Sequence, residues 1–198
     1  MYENFDPIWD TLTVGDTVPE DLSFLVYHED EIREIDFASL RGKWLILFFY
    51  PKDFTFVCPT ELGEMQGLYE EFKKEGAEVL SVSTDTPEVH KAWHDASDTI
   101  KQIKYPMAAD PAHILSDCFG VLIEDEGVTH RATFIISPEG EIKTLEMNHD
   151  SIGRNAKETM RKFKAAKYVS NNPANVCPAS WNEGDDTLTP GVDLVGKI

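Results

Sequence analysis

Apolar positions along this chain follow two rhythms. WLILFFY, Trp44 to Tyr50, is an unbroken apolar run with aromatic and β-branched side chains, which predicts a strand buried on both faces. VLSVS, Val79 to Ser83, and ATFIIS, Ala132 to Ser137, are shorter runs of the same kind. After the last of these, the turn residues of PEG lead into EIKTLEM, a pattern that predicts a hairpin and so an antiparallel edge. FLVYHEDEIREIDF reads as two short strands around an acidic turn, and the residues before it carry little pattern.

Other segments keep helical spacing. Pro59 suits the first turn of a helix, where its missing N–H costs nothing; Leu62, Met65, Tyr69 and Phe72 then recur on one side, and Gly76 closes the segment. TDTPEVHKAWHDAS opens with a capping residue and Pro87, placing Val89, Ala92, Trp93 and Ala96 on one side. A helix from Arg154 to Val169 would bury Ala156, Met160, Phe163 and Ala166. Beyond it the chain is rich in Pro, Asn, Gly and Asp, which predicts a tail. The order β-α-β-α-β-β-α predicts the α/β class, a mixed central sheet flanked by helices, compatible with a thioredoxin-like layout. The expected division is one domain over residues 1–170 and a C-terminal tail over 171–198.

Composition matters mainly for what it excludes. A chain of 198 residues, 41% hydrophobic, suits one domain with an arm. It has no apolar run of about 18 residues, the length a membrane helix needs. MYENFDPIWD lacks the basic-then-apolar order of a secretory leader, so a cytoplasmic location is expected. The net charge of −18 would repel nucleic acid and anionic membranes, and neither is expected as a partner. The three cysteines, Cys58, Cys118 and Cys177, are odd in number, widely spaced and free of any C-x-x-C pair. That argues against a secreted disulfide framework, a zinc ribbon or an ordinary dithiol site. His90 and His94 have a metal-capable spacing but no third ligand, so no metal is expected.

Cys58 stands where chemistry is most readily built. It lies between the strand ending at Tyr50 and the helix starting near Pro59, and open α/β sheets form sites at the carboxyl ends of their strands. A helix N-terminus offers partial positive charge and free N–H groups, which favour a thiolate. The competing reading is a buried structural cysteine. Thr55 is placed to aim a hydroxyl at the sulfur, or serves a turn. Pro51 shields a pocket, or only ends the strand. Glu61 holds a cationic partner, or only meets the helix dipole. Cys118, in SDCFGV, reads as a small apolar packer.

Taken jointly, Pro51, Thr55 and Cys58 form P-x-x-x-T-x-x-C within PKDFTFVC. This resembles the active-site motif of the peroxiredoxins. The longer string FFYPKDFTFVCPTEL is similar to typical two-cysteine peroxiredoxins of the bacterial alkyl hydroperoxide reductase C type. The likeness continues through VSTDTPEVHKAWH, DEGVTHRATFII, IGRNAKETMRK, VCPASW and DLVGKI, and so covers nearly all of the chain from Gly42 onward.

The resemblance implies a role for each matching position. Cys58 is the peroxidatic cysteine, which attacks a peroxide oxygen and becomes a sulfenic acid. Thr55 positions the peroxide and Pro51 shields it. Arg131, in HRATF, stabilises the thiolate and the developing charge; Arg154, in GRN, is a second arginine near the pocket; Glu61 orients arginine. Cys177, in VCPASW, is the resolving cysteine, set beside the peroxidatic cysteine of another subunit. Hydrogen peroxide and alkyl hydroperoxides are the implied substrates, with no metal, haem or flavin in this chain. Electrons come from a flavin-containing alkyl hydroperoxide reductase subunit or from thioredoxin, by thiol–disulfide exchange. Homodimers assembled into a decamer are implied, with a ring contact at the segment matching Asp85–Val89.

A cysteine in a first helical turn must leave its pocket to meet a tail, so local opening around Phe54–Glu61 is expected. Many eukaryotic relatives carry a Gly-Gly-Leu-Gly loop and a terminal Tyr-Phe pair. IKYPMAAD and DLVGKI stand in their places here, so easy opening and resistance to over-oxidation are expected. Two rival classes make different demands. A dithiol oxidoreductase needs a second cysteine close to Cys58, and none is present. A holdase chaperone would keep its action without Cys58.

Overall fold

The structure, a computed structural model, describes residues 11–197. The acidic start MYENFDPIWD and the final Ile198 of DLVGKI lie outside the described residues. Two compact units are present, one ending at Arg154 and one starting at Asn155.

In the first unit, β1 (Ser23–His28) and β2 (Glu31–Asp36) form the acidic hairpin that the pattern predicts. Its turn residues Glu29 and Asp30 have φ of 52° and 62°, the left-handed pair whose twist matches a hairpin. β3 (Trp44–Phe49) is buried at every residue. There follow α1 (Cys58–Lys74), β4 (Ala77–Ser83), α2 (Pro87–Ala96), β5 (Met107–Ala109), α3 (Ile114–Cys118), a ribbon of β6 (Leu122–Ile123) and β7 (Val128–Thr129), and the hairpin of β8 (Arg131–Ile136) and β9 (Ile142–Asn148). Among the described residues, seven strands make one sheet in the order β2-β1-β5-β4-β3-β8-β9. β4 runs parallel to both β3 and β5, whereas β8 is antiparallel to β3. This is the mixed α/β sheet flanked by helices that the element order predicts, with α1 against β4 and α2 against β1 and β5. No helix of the described residues is long and apolar enough to cross a membrane.

Some elements differ from the pattern. β5, α3 and the β6–β7 ribbon are too short to show a period, and the sequence does not announce them. The inward side of α2 is also turned from its expected position: Pro87, His90 and Trp93 are buried, while Ala92 and Ala96 are exposed. The cause is His90, which lies fully buried between the Asp53 carboxylate and the Ala108 carbonyl. Two hydrogen-bond acceptors draw in a polar ring that hydrophobic spacing leaves out.

The pleat of β3 divides its side chains between the two faces. Leu45, Leu47 and Phe49 join Leu80, Val82, Phe134 and Ile136 in one core, closed over by Leu115, Cys118 and Phe119. Phe119 is the hub, its ring centroid 4.8 Å from that of Phe134 and 5.4 Å from that of Phe49. Cys118 is a packer here, as its setting predicts. Burial, with the Asp110 charge, pushes its thiol up to about 11, which leaves it protonated and unreactive at neutral pH. At the β8–β9 turn Gly140 has φ +87°, which favours glycine, and a β-carbon there would also displace the Arg41 guanidinium.

The second unit opens with α4 (Ala156–Asn171), capped by the Asn155 side chain, which accepts from the Lys157 and Glu158 amides. The predicted stripe Ala156, Met160, Phe163 and Ala166 is buried, joined by Thr159. The segment after α4 folds back within its own unit. Val176 and Leu188 pair across a β-bridge, and the Trp181 ring lies 5.1 Å from that of Tyr168.

Phe119→Ala should cost about 3–5 kcal/mol of unfolding free energy, as buried aromatic truncations do. Urea denaturation followed by circular dichroism measures it. A midpoint unchanged from the parent would remove Phe119 from the centre of this core.

Candidate active site

The strand end and helix start around Cys58 are built by short-range rules. β3 ends before Pro51, and Phe54 takes a left-handed φ of 54°, uncommon for a bulky residue. That turn brings the chain into α1, whose first helical residue is Cys58 itself, one position earlier than Pro59 alone implies. Pro59 occupies the first turn. The N-cap is Val57, which offers no side-chain hydrogen bond, and the first turn is closed on the Val57 carbonyl by the Thr60 and Glu61 amides and by the Thr60 hydroxyl at 2.6 Å.

Cys58 is fully buried. Above its sulfur, at 3.5 Å, sits Arg131 Nη1, carried on the first residue of β8. The same nitrogen donates to Glu61 Oε2 at 2.6 Å, and Arg131 Nε donates to the Asp150 carbonyl. Glu61 is also held by Arg154, whose amide and Nε reach Oε1 at 2.8 and 2.9 Å and whose Nη2 reaches Oε2 at 3.2 Å. Arg154 Nη1 donates to the Ala132 carbonyl at 2.7 Å, and its guanidinium carbon lies 3.5 Å from the Phe48 ring centroid. Cys58, Glu61, Arg131 and Arg154 therefore form one continuous buried cluster drawn from three distant parts of the chain.

Electrostatics follow from the contacts. Burial pushes the Glu61 carboxyl upward, but the hydrogen bonds and charge of Arg154, with the charge of Arg131, outweigh it and hold it below its ordinary value. For Arg131, burial opposes the charged form, yet the bond to the Cys58 sulfur and the Glu61 carboxylate raise its pKa. Burial lowers that of Arg154 against the pull of Glu61, and a guanidinium keeps its charge through such a shift.

The remaining sequence-predicted positions are placed as follows. Pro51 is buried at the end of β3. Thr55 is half-buried, its hydroxyl donating to the Lys52 carbonyl at 3.0 Å. Cys177 belongs to the second unit as a half-buried free thiol. His90 and His94 make no metal cluster with other side chains among the described residues; His90 serves the loop instead. Its Nδ1 lies 2.8 Å from Asp53 Oδ2, Tyr50 donates to Asp53 Oδ1 at 2.7 Å, and the Asp53 amide donates to Asp85 Oδ2 at 2.8 Å. This network braces Pro51–Phe54 from behind. Sequence reasoning misses it, because nothing in the spacing of Asp53 and His90 links the two.

Comparisons with known proteins converge on one family. A model described as the AhpC/TSA family matches residues 14–145. Alkyl hydroperoxide reductase C of Escherichia coli strain K12 is 51% identical over 172 residues, covering 87% of this chain and 92% of that protein. The protein of the same name from Staphylococcus aureus strain Mu50 is 52% identical over 170 residues, 86% of this chain and 90% of its own. Among solved structures, Enterococcus faecalis AhpC aligns with a TM-score of 0.81 at 48% identity, covering 83% of this chain and 98% of that one. The reduced 2-Cys peroxiredoxin of Plasmodium vivax aligns with a TM-score of 0.86 at 29% identity, covering 91% and 94%. A thioredoxin-like sheet with these relatives defines a peroxiredoxin, an oxidoreductase with peroxidase activity. The chain belongs to the AhpC/TSA family.

Glu61→Gln should leave two buried guanidinium groups with one weak acceptor and cost about 3–5 kcal/mol at neutral pH, as breaking a buried ion pair does. Because the Glu61 pKa is lowered on folding, its stabilisation is complete above the ordinary carboxylate range and is lost as pH falls through the depressed value. The stability gap between parent and variant should narrow on acidification. A gap that stays constant between neutral pH and pH values near 3 would contradict the ion-pair reading.

Proposed function

We propose that Cys58 is the peroxidatic nucleophile of a thiol peroxidase that reduces hydrogen peroxide and small alkyl hydroperoxides. One observation carries this reading: a guanidinium held rigidly by Glu61 reaches the buried Cys58 sulfur at 3.5 Å. Breaking an O–O bond needs a thiolate and donors that follow charge onto the leaving oxygen. A positive charge beside the sulfur favours the thiolate, and Arg131 offers donors that need no rearrangement. The names of the relatives, alkyl hydroperoxide reductase C and 2-Cys peroxiredoxin, support the same substrate class.

The thiolate attacks one peroxide oxygen, the O–O bond breaks, and Cys58 becomes a sulfenic acid while the departing hydroxide or alkoxide takes up the proton that the thiol gave up on ionising and leaves as water or an alcohol. Thr55 positions the peroxide: its hydroxyl proton is engaged by the Lys52 carbonyl, which leaves its lone pairs to accept from the peroxide O–H. Pro51 shields the pocket from bulk water. Arg154 acts through Glu61, which it fixes, and Glu61 through Arg131.

Cys177 then resolves the sulfenic acid as a disulfide between subunits, and water leaves. The poorly capped start of α1 and the left-handed Phe54 support an opening of this turn during that step. In this reading residues 1–170 are the peroxidase domain and 171–198 the resolving tail. Homodimers assemble into a decamer in the cytoplasm, and a flavin-containing alkyl hydroperoxide reductase subunit or thioredoxin restores the thiols. Once the turn opens and Cys177 captures the sulfenic acid quickly, little time remains for a second peroxide to react.

Stopped-flow peroxide assays test the assignment. Cys58→Ser should abolish peroxide consumption, and Cys177→Ser should complete one turnover and accumulate sulfenic acid. Non-reducing electrophoresis after peroxide should show a dimer in the parent alone. Consumption that persists in Cys58→Ser would sink the reading. Mass spectrometry should find Cys58 free of sulfinic acid at low peroxide excess; its presence there would refute fast resolution.

A further inference from the structure

The second unit contains an arginine that the peroxidatic cluster does not use. Arg161, on α4, grips Glu158 with one edge of its guanidinium, Nε to Oε2 and Nη2 to Oε1, each at 2.7 Å. A two-point grip of this kind fixes the plane of the group. The remaining nitrogen, Nη1, donates to the Trp181 carbonyl at 2.8 Å.

That carbonyl closes the turn that begins directly after Cys177. The Trp181 amide donates to the Pro178 carbonyl at 3.3 Å, and the buried Trp181 indole donates to the Asp185 carbonyl at 3.1 Å. On the other side of the cysteine, Val176 exchanges backbone hydrogen bonds with Leu188 at 2.8 and 3.1 Å. Cys177 is thus held between two anchors, a β-bridge before it and an arginine-pinned turn after it. An ordinary flexible tail needs neither. The Arg161 charge also acts on the Cys177 sulfur: burial raises the pKa of this thiol, and Arg161 works against that rise.

We propose that Arg161 is the positioning residue of the resolving step, fixing the turn after Cys177 and presenting positive charge to its sulfur. This rests on Cys177 being the resolving cysteine. In that step the Cys177 thiolate attacks the Cys58 sulfenic sulfur. The S–S bond forms as the S–O bond breaks, hydroxide leaves and is protonated to water, and the Cys177 sulfur is oxidised as the Cys58 sulfur is reduced. The attacking thiolate population rises as its pKa falls, while its intrinsic nucleophilicity falls about half as steeply. Losing the Arg161 charge therefore slows attack, though less steeply than the thiolate population falls, and losing the pinned turn adds to this.

The test uses the full chain with Arg161→Met and Arg161→Lys in single-turnover reactions with hydrogen peroxide. Sulfenic acid formation is read by stopped flow, and Cys58–Cys177 disulfide formation by quenched flow and non-reducing electrophoresis. Arg161→Met should leave sulfenic acid formation unchanged and slow disulfide formation about three- to tenfold. Arg161→Lys, which keeps the charge, should recover most of that rate. The proposal is overturned if Arg161→Met resolves at the parent rate, if the lysine variant is as slow as the methionine one, or if both steps slow by the same factor. A parent chain that forms no Cys58–Cys177 disulfide would instead overturn the underlying reading, and this proposal with it.

Discussion

A carboxylate buried between two arginines is the constraint on which the rest of this structure depends. Glu61 lies in the first turns of α1, Arg131 at the start of β8, and Arg154 beyond β9. Taking such groups out of water is expensive, and their attraction offsets the expense only with near-ideal geometry and every donor engaged. The geometry is close to that: Glu61 accepts on both oxygens, and Arg154 turns its remaining nitrogen to the Ala132 carbonyl and the Thr133 hydroxyl. The Arg131 nitrogen that binds Glu61 also reaches the Cys58 sulfur. The contact that ties α1 to β8 and to the loop after β9 therefore also sets a cationic donor on the sulfur that the proposed chemistry uses.

Around this cluster, firmness and looseness lie side by side. The loop before Cys58 is braced by Tyr50, Asp53, His90 and Asp85, all engaged in buried or half-buried hydrogen bonds. The turn that follows has a strained Phe54 and an N-cap, Val57, whose own side chain caps no helix amide. Local opening draws on segments with few such restraints, so a break between the braced loop and the body of α1 is physically economical. The sheet need not be disturbed, because β3 is buried and paired along both edges.

How far the chain is legible depends on the range of the interaction involved. Runs such as WLILFFY and the Leu62–Phe72 stripe are readable because burial repeats with the period of the element. The stripe of α2 misleads because His90 is buried by two hydrogen bonds rather than by hydrophobicity. β5 and α3 are silent for want of length. In the site, Pro51, Thr55, Cys58 and Glu61 stand within a few positions of one another and form a pattern. Arg131 and Arg154 have no local signature, and only the family resemblance singles them out. Asp53 and His90 do not read as one device, since nothing in their spacing links them.

By itself, then, the sequence determined where the longer strands and helices form, that Cys58 stands at a strand end and helix start, and which family the motif resembles. The first two follow from steric and hydrophobic preferences acting over a few residues, and the third from the likeness of the motif. Tertiary structure alone decided that Arg131 Nη1 would meet the Cys58 sulfur and the Glu61 carboxylate together, that Arg154 would lie on the Phe48 ring, and that Arg161 would pin the turn after Cys177. The physical reason is register. Pairing Phe49 of β3 with Ala132 of β8 sets the height of Arg131 above the sheet, and that pairing is a property of the assembled sheet rather than of either strand.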